Sequence, residues 1–175
     1  MLDISLLGPT EVRVAGVNVS LSPLERNLLA VLALSKGTVI STERIIDSLW
    51  GDRLPAAPRS RVQGLVSSLR RKLGDALVTR HPGYLIEAHG TAVDLDECEN
   101  LAREARLATS PNKVARYLRQ ALGLWRGEPL DGVSAPGIEF DRVRLPVAAV
   151  ERQHQLAGQP LPQRVGRHGR GQLGH

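Results

Sequence analysis

The stretch from Pro58 to Leu73, PRSRVQGLVSSLRRKL, is the sequence feature that most constrains how this chain can fold. At roughly 100° of rotation per residue in an α-helix, its apolar side chains fall on one narrow stripe. These apolar residues are Val62, Leu65, Val66, Leu69 and Leu73. The opposite side carries only small, polar or basic residues, which are Ser60, Gln63, Gly64, Ser67, Arg70 and Arg71. The pattern therefore predicts a helix with one face for a protein core and the other for a partner.

The charge around this helix indicates the kind of partner. Between residues 59 and 81, six Arg or Lys residues stand against a single acid, Asp75, and the whole chain carries a formal net charge of +5. A surface with this balance favours a polyanion. We interpret the stretch as a DNA recognition helix. The alternative is an ordinary amphipathic surface helix whose charges are only solvated.

The elements predicted around the helix favour the DNA-binding interpretation. Residues 2–21 alternate in short apolar bursts separated by turn signals, which predicts a small antiparallel sheet. S-P-L-E at residues 22–25 forms a capping box with Pro at the first helical position, and Ser41 or Thr42 can cap a second helix. Residues 77–86 predict a hairpin with a basic tip. Sheet, helix, helix, basic helix and hairpin is the order of an α+β winged helix-turn-helix.

Each exposed residue of the predicted interface has an expected role. Gln63 and Ser67 are short, uncharged and central to the exposed face, so we expect them at base edges. Arg70 can contact either a base or a phosphate. Contacts with the DNA backbone are assigned to the other basic side chains, which are Arg59, Arg61, Arg71 and Lys72 on the helix and Arg80 and His81 at the hairpin tip. An incidental exposed charge is the alternative for the two tip residues.

Other kinds of site find little support in the sequence. The lone Cys98 excludes an intramolecular disulfide and a cysteine-built zinc site, and the five His show no metal-ligand spacing. G-R-G-Q-L-G at residues 169–174 formally matches a dinucleotide-binding motif, but no predicted strand precedes it. We therefore predict no catalytic residue, no metal and no cofactor. Because no apolar run approaches 18 residues and no leader is visible, we expect a cytoplasmic protein without membrane contact.

The local net charge changes from positive to negative at Asp94. Residues 94–104 hold five acids and one Arg, which places a domain boundary near residues 88–93. D-L-D-E at residues 94–97 predicts a second capping box, and two antiparallel helices joined by a tight turn should follow. Residues 151–175 contain five Gly, five Gln and no aromatic residue, so they bury too little apolar surface to offset the entropy of ordering. The sequence predicts a disordered tail there.

Several separated motifs resemble a known family. Three of them resemble the OmpR/PhoB-type winged helix of the SARP family. These are T-E-R-I-I-D-S-L-W-G at 42–51, R-x-x-V-Q-x-x-V-S-x-L-R-R-K-L-G at 59–74 and L-V-T-R-H-P-G-Y at 77–84. SARPs are actinobacterial activators of antibiotic biosynthesis genes. V-D-L-D at 93–96 and A-L-G-L-W-R-G-E-P-L at 121–130 resemble the start of the bacterial transcriptional activator domain, an all-helical, TPR-like module.

The resemblance implies a domain order. A winged-helix DNA-binding domain is expected at 1–90 and an incomplete bacterial transcriptional activator domain at 94–150, with the tail at 151–175. The motifs end near Leu145, ahead of Pro146, so a truncated or frame-shifted module is expected. No receiver domain precedes the winged helix, so no phosphoacceptor Asp is expected.

The resemblance also implies partners. The chain should bind double-stranded DNA at direct repeats near a promoter, as a homodimer or a side-by-side pair. It should contact RNA polymerase through the loop at 51–57, where Asp52 and Arg53 have no evident internal role. The main alternative is a helical protein-interaction module whose winged helix is a scaffold that binds no DNA. The sequence gives no support for an enzyme, because it shows no nucleophile paired with a base and no phosphate-binding loop.

Overall fold

The computed structural model describes residues 1–138, and the expectations for the tail and for the end of the helical module lie outside that range. The chain starts with three antiparallel strands, as predicted: β1 (Leu2–Ser5), β2 (Glu11–Val14) and β3 (Val17–Asn18). Leu2 lies opposite Val14 and Ile4 opposite Val12. Alternation along β1 buries Leu2 and Ile4 while Asp3 and Ser5 stay partly exposed.

A fourth strand completes this sheet and was not anticipated. β7 (Thr91–Val93) pairs in parallel with β1, so the strand order is β3-β2-β1-β7 and the sheet is not wholly antiparallel. The strand occupies the segment where the domain boundary was placed. It has only three residues and no adjacent turn partner, and its pairing depends on a strand almost 90 residues away in sequence. Local pattern therefore gave no signal for it.

Three helices follow the sheet at the predicted places. The first, α1 (Pro23–Ala33), begins with the predicted capping box between Ser22 and Glu25. α2 (Thr42–Trp50) is capped by the Ser41 hydroxyl, which accepts the Arg44 N–H at 3.2 Å. α3 (Pro58–Leu73) has the predicted bounds and starts with Pro in its first turn.

The hairpin expected at 77–86 is present and belongs to a second sheet. β5 (Leu77–Arg80) and β6 (Gly83–Ile86) form the hairpin, and β4 (Ile40–Ser41) pairs with β6, giving the order β4-β6-β5. Gly83 is required because a Cβ at this position would lie 1.8 Å from the Ile40 carbonyl oxygen. Only glycine allows β4 to approach β6 this closely.

The acidic segment forms the predicted antiparallel helical hairpin, α4 (Asp94–Leu107) and α5 (Pro111–Gly123). The predicted capping box at 94–97 is absent, since Val93 is the N-cap and no side chain caps α4. The Asp94 carboxylate instead accepts the N–H groups of Leu6 at 2.7 Å and Leu7 at 3.1 Å. Burial raises the pKa of Asp94, although these two donors and the nearby Arg126 favour its charged form. The residue ties the helical hairpin to the first sheet.

Residues 126–138, which we call the strap, return from α5 across the winged helix. The Arg126 and Leu130 N–H groups donate to the carbonyls of Leu7 and Leu6 at 2.7 and 2.8 Å. Farther on, the Ser134 N–H donates to the side-chain oxygen of buried Asn27 at 3.1 Å. Four strap residues are buried in the common core, namely Leu130, Val133, Ala135 and Ile138. The strap is therefore a packed segment and not an open loop.

Two kinds of feature are absent from residues 1–138. No helix in this range is long and apolar enough to cross a membrane. The same range holds no group of three or more His, Cys, Asp or Glu side chains arranged to bind a metal ion.

The contact between the strap and α2 predicts that stability is sensitive to a larger side chain at position 137. A Cβ added at Gly137 would lie 2.5 Å from the Cα of Ser48, a backbone atom that cannot move alone. Gly137→Ala should therefore lower the free energy of unfolding by about 1–3 kcal/mol, the usual cost of overpacking. Denaturant unfolding measures this change. Gly123→Ala is the matched control, because no atom lies within 4 Å of its added methyl group, and it should be neutral or stabilising. Equal effects of the two changes would contradict the packing described for the strap.

Candidate nucleic-acid interface

The α3 helix divides into a buried face and an exposed face along the predicted line. Val62, Val66, Leu69 and Leu73 are buried, and Leu65 is partly buried against the same core. The exposed side chains include Arg61, Gln63, Ser67 and Arg71. Within residues 1–138 none of these four side chains makes a hydrogen bond or ion pair with the protein. They are therefore available to a partner.

At the start of α3, Arg59 has a weak internal partner. Its Nη2 lies 2.7 Å from Oε1 of Glu43 on α2. The two side chains are 73% and 56% exposed, so solvent screens the pair and its net contribution is small. Arg59 can exchange this carboxylate for a phosphate at little cost.

Arg70, expected to contact a base or a phosphate, contacts the hairpin instead. Its Nε donates to the Leu77 carbonyl at 3.0 Å, and its Nη2 donates to the Thr79 hydroxyl at 2.8 Å. Both partners belong to β5. Sequence spacing could not show this, because the direction of the hairpin relative to α3 is set by packing.

Lys72, expected on the DNA backbone, is also held within the chain. Its Nζ lies 2.7 Å from Oε2 of Glu25 and donates to the Ser20 carbonyl at 3.0 Å. Glu25 is only 4% exposed, and its Oε1 accepts the Ser68 hydroxyl at 2.7 Å. The capping box identified Glu25 from sequence, but its partners on α3 could not be identified that way.

These contacts decide the ionisation of Glu25. Burial alone would raise its pKa, but the Lys72 ammonium, the Ser22 backbone N–H and the hydroxyls of Ser68 and Ser22 together lower the pKa from 4.5 to about 2. The carboxylate therefore stays charged throughout the neutral range. It links the start of α1 to the last two turns of α3.

The tip of the hairpin lies beside the start of α2. The Thr42 N–H and hydroxyl both lie within 3.4 Å of the Pro82 carbonyl oxygen. Arg80 and His81 are exposed at this tip, and Arg80 is 4.0 Å from Glu87, near the limit of an ion pair. The structure thus places both predicted tip residues at the solvent edge of the wing.

The loop between α2 and α3 presents both charge and apolar surface. Asp52 and Arg53 are exposed, and Leu54 is 57% exposed. Behind them a cleft of about 370 Å³ runs between α2 and the start of α3, with Ile46 and Pro58 among its lining residues.

Comparison with known proteins agrees with the architecture. A family described as "Transcriptional regulatory protein, C terminal" matches residues 16–92, and "Bacterial transcriptional activator domain" matches residues 93–171. Regulatory protein DnrI of Streptomyces peucetius is 32% identical over 190 aligned residues, which cover 95% of this chain and 67% of DnrI. The chain belongs to the SARP family.

Other relatives of this SARP-family chain are longer. Regulatory protein AfsR of Streptomyces griseus is 34% identical over 149 residues, which cover 82% of this chain and 15% of AfsR. The structure of Mycobacterium tuberculosis EmbR in complex with a low affinity phosphopeptide superposes with a TM-score of 0.72 at 27% identity, over 90% of this chain and 43% of EmbR. The chain thus spans 15% of AfsR and under half of EmbR. The EmbR structure supports the α+β class and the order of winged helix and helical module.

The activator-domain match also corrects one expectation. It continues to residue 171, whereas the motifs had indicated that the resemblance ends near Leu145.

The Glu25 contacts predict a pH-dependent stability. Glu25→Gln should lower the free energy of unfolding at pH 7 by up to about 3 kcal/mol, since the folded-state pKa is about 2 against 4.5 for an unperturbed Glu. Because the folded pKa is the lower one, this stabilisation is present above about pH 4.5 and is lost as the pH falls toward 2. Urea unfolding of both proteins between pH 7 and pH 2.5 measures the difference.

The control for this measurement is Glu104→Gln, which changes an exposed acid on α4. It should leave the stability within about 0.5 kcal/mol of the parent at every pH, as is usual for surface positions. A Glu25→Gln deficit that stays constant down to pH 2.5 would show that the charge of Glu25 is not what stabilises the contact.

Proposed function

We propose that this chain is a sequence-specific DNA-binding transcriptional regulator that activates antibiotic biosynthesis genes. The observation that carries the proposal is the exposed face of α3, where Arg61, Gln63, Ser67 and Arg71 make no hydrogen bond or ion pair within residues 1–138, beside a wing with a basic tip. A helix of this kind enters the major groove, and the wing contacts neighbouring phosphates. Membership of the SARP family supports the class of target genes.

The polar centre of α3 is proposed to read bases. Gln63 and Ser67 are exposed and lie one helical turn apart on the same face. A Gln amide can make two hydrogen bonds to the N6 and N7 edge of adenine, and a Ser hydroxyl can donate or accept. Gly64 between them has open space where a Cβ would be. A base pair or sugar can therefore approach the helix closely at this point.

The phosphate contacts are proposed for the charged side chains around this centre. Arg61 and Arg71 on α3 and Arg80 and His81 on the wing are exposed, and Arg59 can leave its screened pair with Glu43. Each phosphate neutralised releases condensed counterions, so the affinity should fall steeply as salt increases.

The remaining partners follow from the family and are part of the proposal. We assign the DNA-binding domain to residues 1–90 and the beginning of the activator domain to residues 94–150. The exposed loop with Asp52, Arg53 and Leu54 is suited to contact RNA polymerase, because it presents both charged and apolar side chains to solvent. Direct repeats near a promoter would hold two copies side by side, in the cytoplasm of the bacterium.

An experiment with two variants tests the proposal. A preferred site is first selected from random duplexes with the purified chain, and binding is then followed by fluorescence anisotropy at several salt concentrations. Gln63→Ala should reduce the preference over a site with one changed base pair by about 1–3 kcal/mol. Arg61→Ala should weaken binding to all sequences and reduce the slope of log K against log salt by about 1.

Arg119→Ala is the control, because Arg119 is an exposed Arg on α5, away from the proposed interface. It should leave affinity and salt slope unchanged. If no duplex is enriched over random sequence, or if Arg119→Ala weakens binding as much as Arg61→Ala, the assignment of the interface to α3 is wrong.

A further inference from the structure

We infer that Arg70 is a positioning residue that holds the wing at a fixed angle to the recognition helix, and that it reads no base itself. This inference rests on the proposed DNA binding and assigns a role within the same site. It changes the part expected for Arg70 from its place on the polar face of α3.

The geometry of the contact is that of a clamp. The guanidinium group spans from α3 to two residues of one strand, with Nε on the Leu77 carbonyl at 3.0 Å and Nη2 on the Thr79 hydroxyl at 2.8 Å. A planar guanidinium fixes both directions at once, whereas an ammonium group fixes neither. Two donors on one rigid fork therefore define the orientation of β5 relative to α3.

The position of β5 in its sheet explains why it needs this clamp. The strand order β4-β6-β5 makes β5 the outer strand, paired with β6 on one side only. The outer carbonyls of such a strand lack ladder partners. Arg70 supplies a donor to one of them at the base of the wing. The other end of the wing is held separately, where Thr42 contacts the Pro82 carbonyl.

The consequence for DNA binding is geometric. With its base clamped to α3 by Arg70 and its tip held against α2, the wing has a defined reach from the groove that α3 enters. Arg80 and His81 then meet the backbone at a fixed distance from the bases facing Gln63. A loosened wing would cost affinity for the flank it contacts and leave base preference unchanged.

The test uses the full chain with four variants and two duplexes. The variants are Arg70→Ala, Thr79→Val, Thr79→Ser and the double variant Arg70→Ala/Thr79→Val. The long duplex contains the selected site with both flanks. A fifth variant, Arg80→Ala, is first used to identify the flank under the wing, which is the flank whose removal abolishes the effect of this change on affinity. The short duplex lacks that flank.

Arg70→Ala and Thr79→Val should each weaken binding to the long duplex by about three- to tenfold, the size expected from losing one or two hydrogen bonds. The double variant should be no weaker than Arg70→Ala, because both changes remove the same clamp. Thr79→Ser keeps the hydroxyl and should bind within twofold of the parent. On the short duplex all four variants should match the parent, and base preference should not change at any position.

Three results would overturn the inference. One is an Arg70→Ala loss that is as large on the short duplex as on the long one. Another is relaxed preference at a base pair in Arg70→Ala, which would show direct base reading. The third is simple addition of the two single losses in the double variant, which would show that Arg70 and Thr79 affect binding independently and not through their mutual contact. If the parent chain binds neither duplex above random sequence, the proposed function itself fails, and that outcome differs from all three.

Discussion

A buried carboxylate determines how the proposed DNA-binding face is presented. Glu25 caps α1 and, with the same two oxygens, holds Ser68 and Lys72 on α3. Its pKa of about 2 shows that the charged form is the one the fold selects. Since Ser68 and Lys72 lie one turn apart, the contact fixes both the position and the rotation of α3. Rotation about the helix axis decides which side chains face outward, so the Glu25 contacts act together with the buried apolar stripe of α3 to keep Gln63 and Ser67 pointing away from the protein.

The helical hairpin and the winged helix share one core across residues 1–138. β7 extends the first sheet, Asp94 accepts the amides of the two residues that follow β1, and the strap returns over α1 and α2. Buried residues of both parts belong to the same hydrophobic cluster. The strap also packs Pro136 near Gly51, at the start of the loop proposed to contact polymerase.

The sequence predicted those features whose determinants are local. The bounds of α3 follow from a 3.6-residue period between Pro58 and Gly74, the start of α1 from its capping box, and the hairpin from its turn residues. The missed features depend on partners distant in the chain. β7, the acceptor role of Asp94 and the packing of the strap are of this kind. The candidate site residues differ in predictability for the same reason. The exposure of Gln63 and Ser67 follows from helical phase. Arg70 and Lys72 lie near the same face, but their side chains bind β5 and Glu25 instead of remaining free. Helical phase predicts which way a side chain leaves the helix, but not what it then meets.

Directed cleavage of bound DNA tests most directly the central claim that the exposed face of α3 lies in the major groove. An iron chelate attached to a cysteine at position 67 generates radicals that cut DNA close to that residue, and the native Cys98 is buried, which limits its labelling. Cuts are expected at the centre of the selected site from position 67, and none there from a cysteine at position 119 on α5. Cuts from position 119 at the centre of the site, with none from position 67, would contradict this claim.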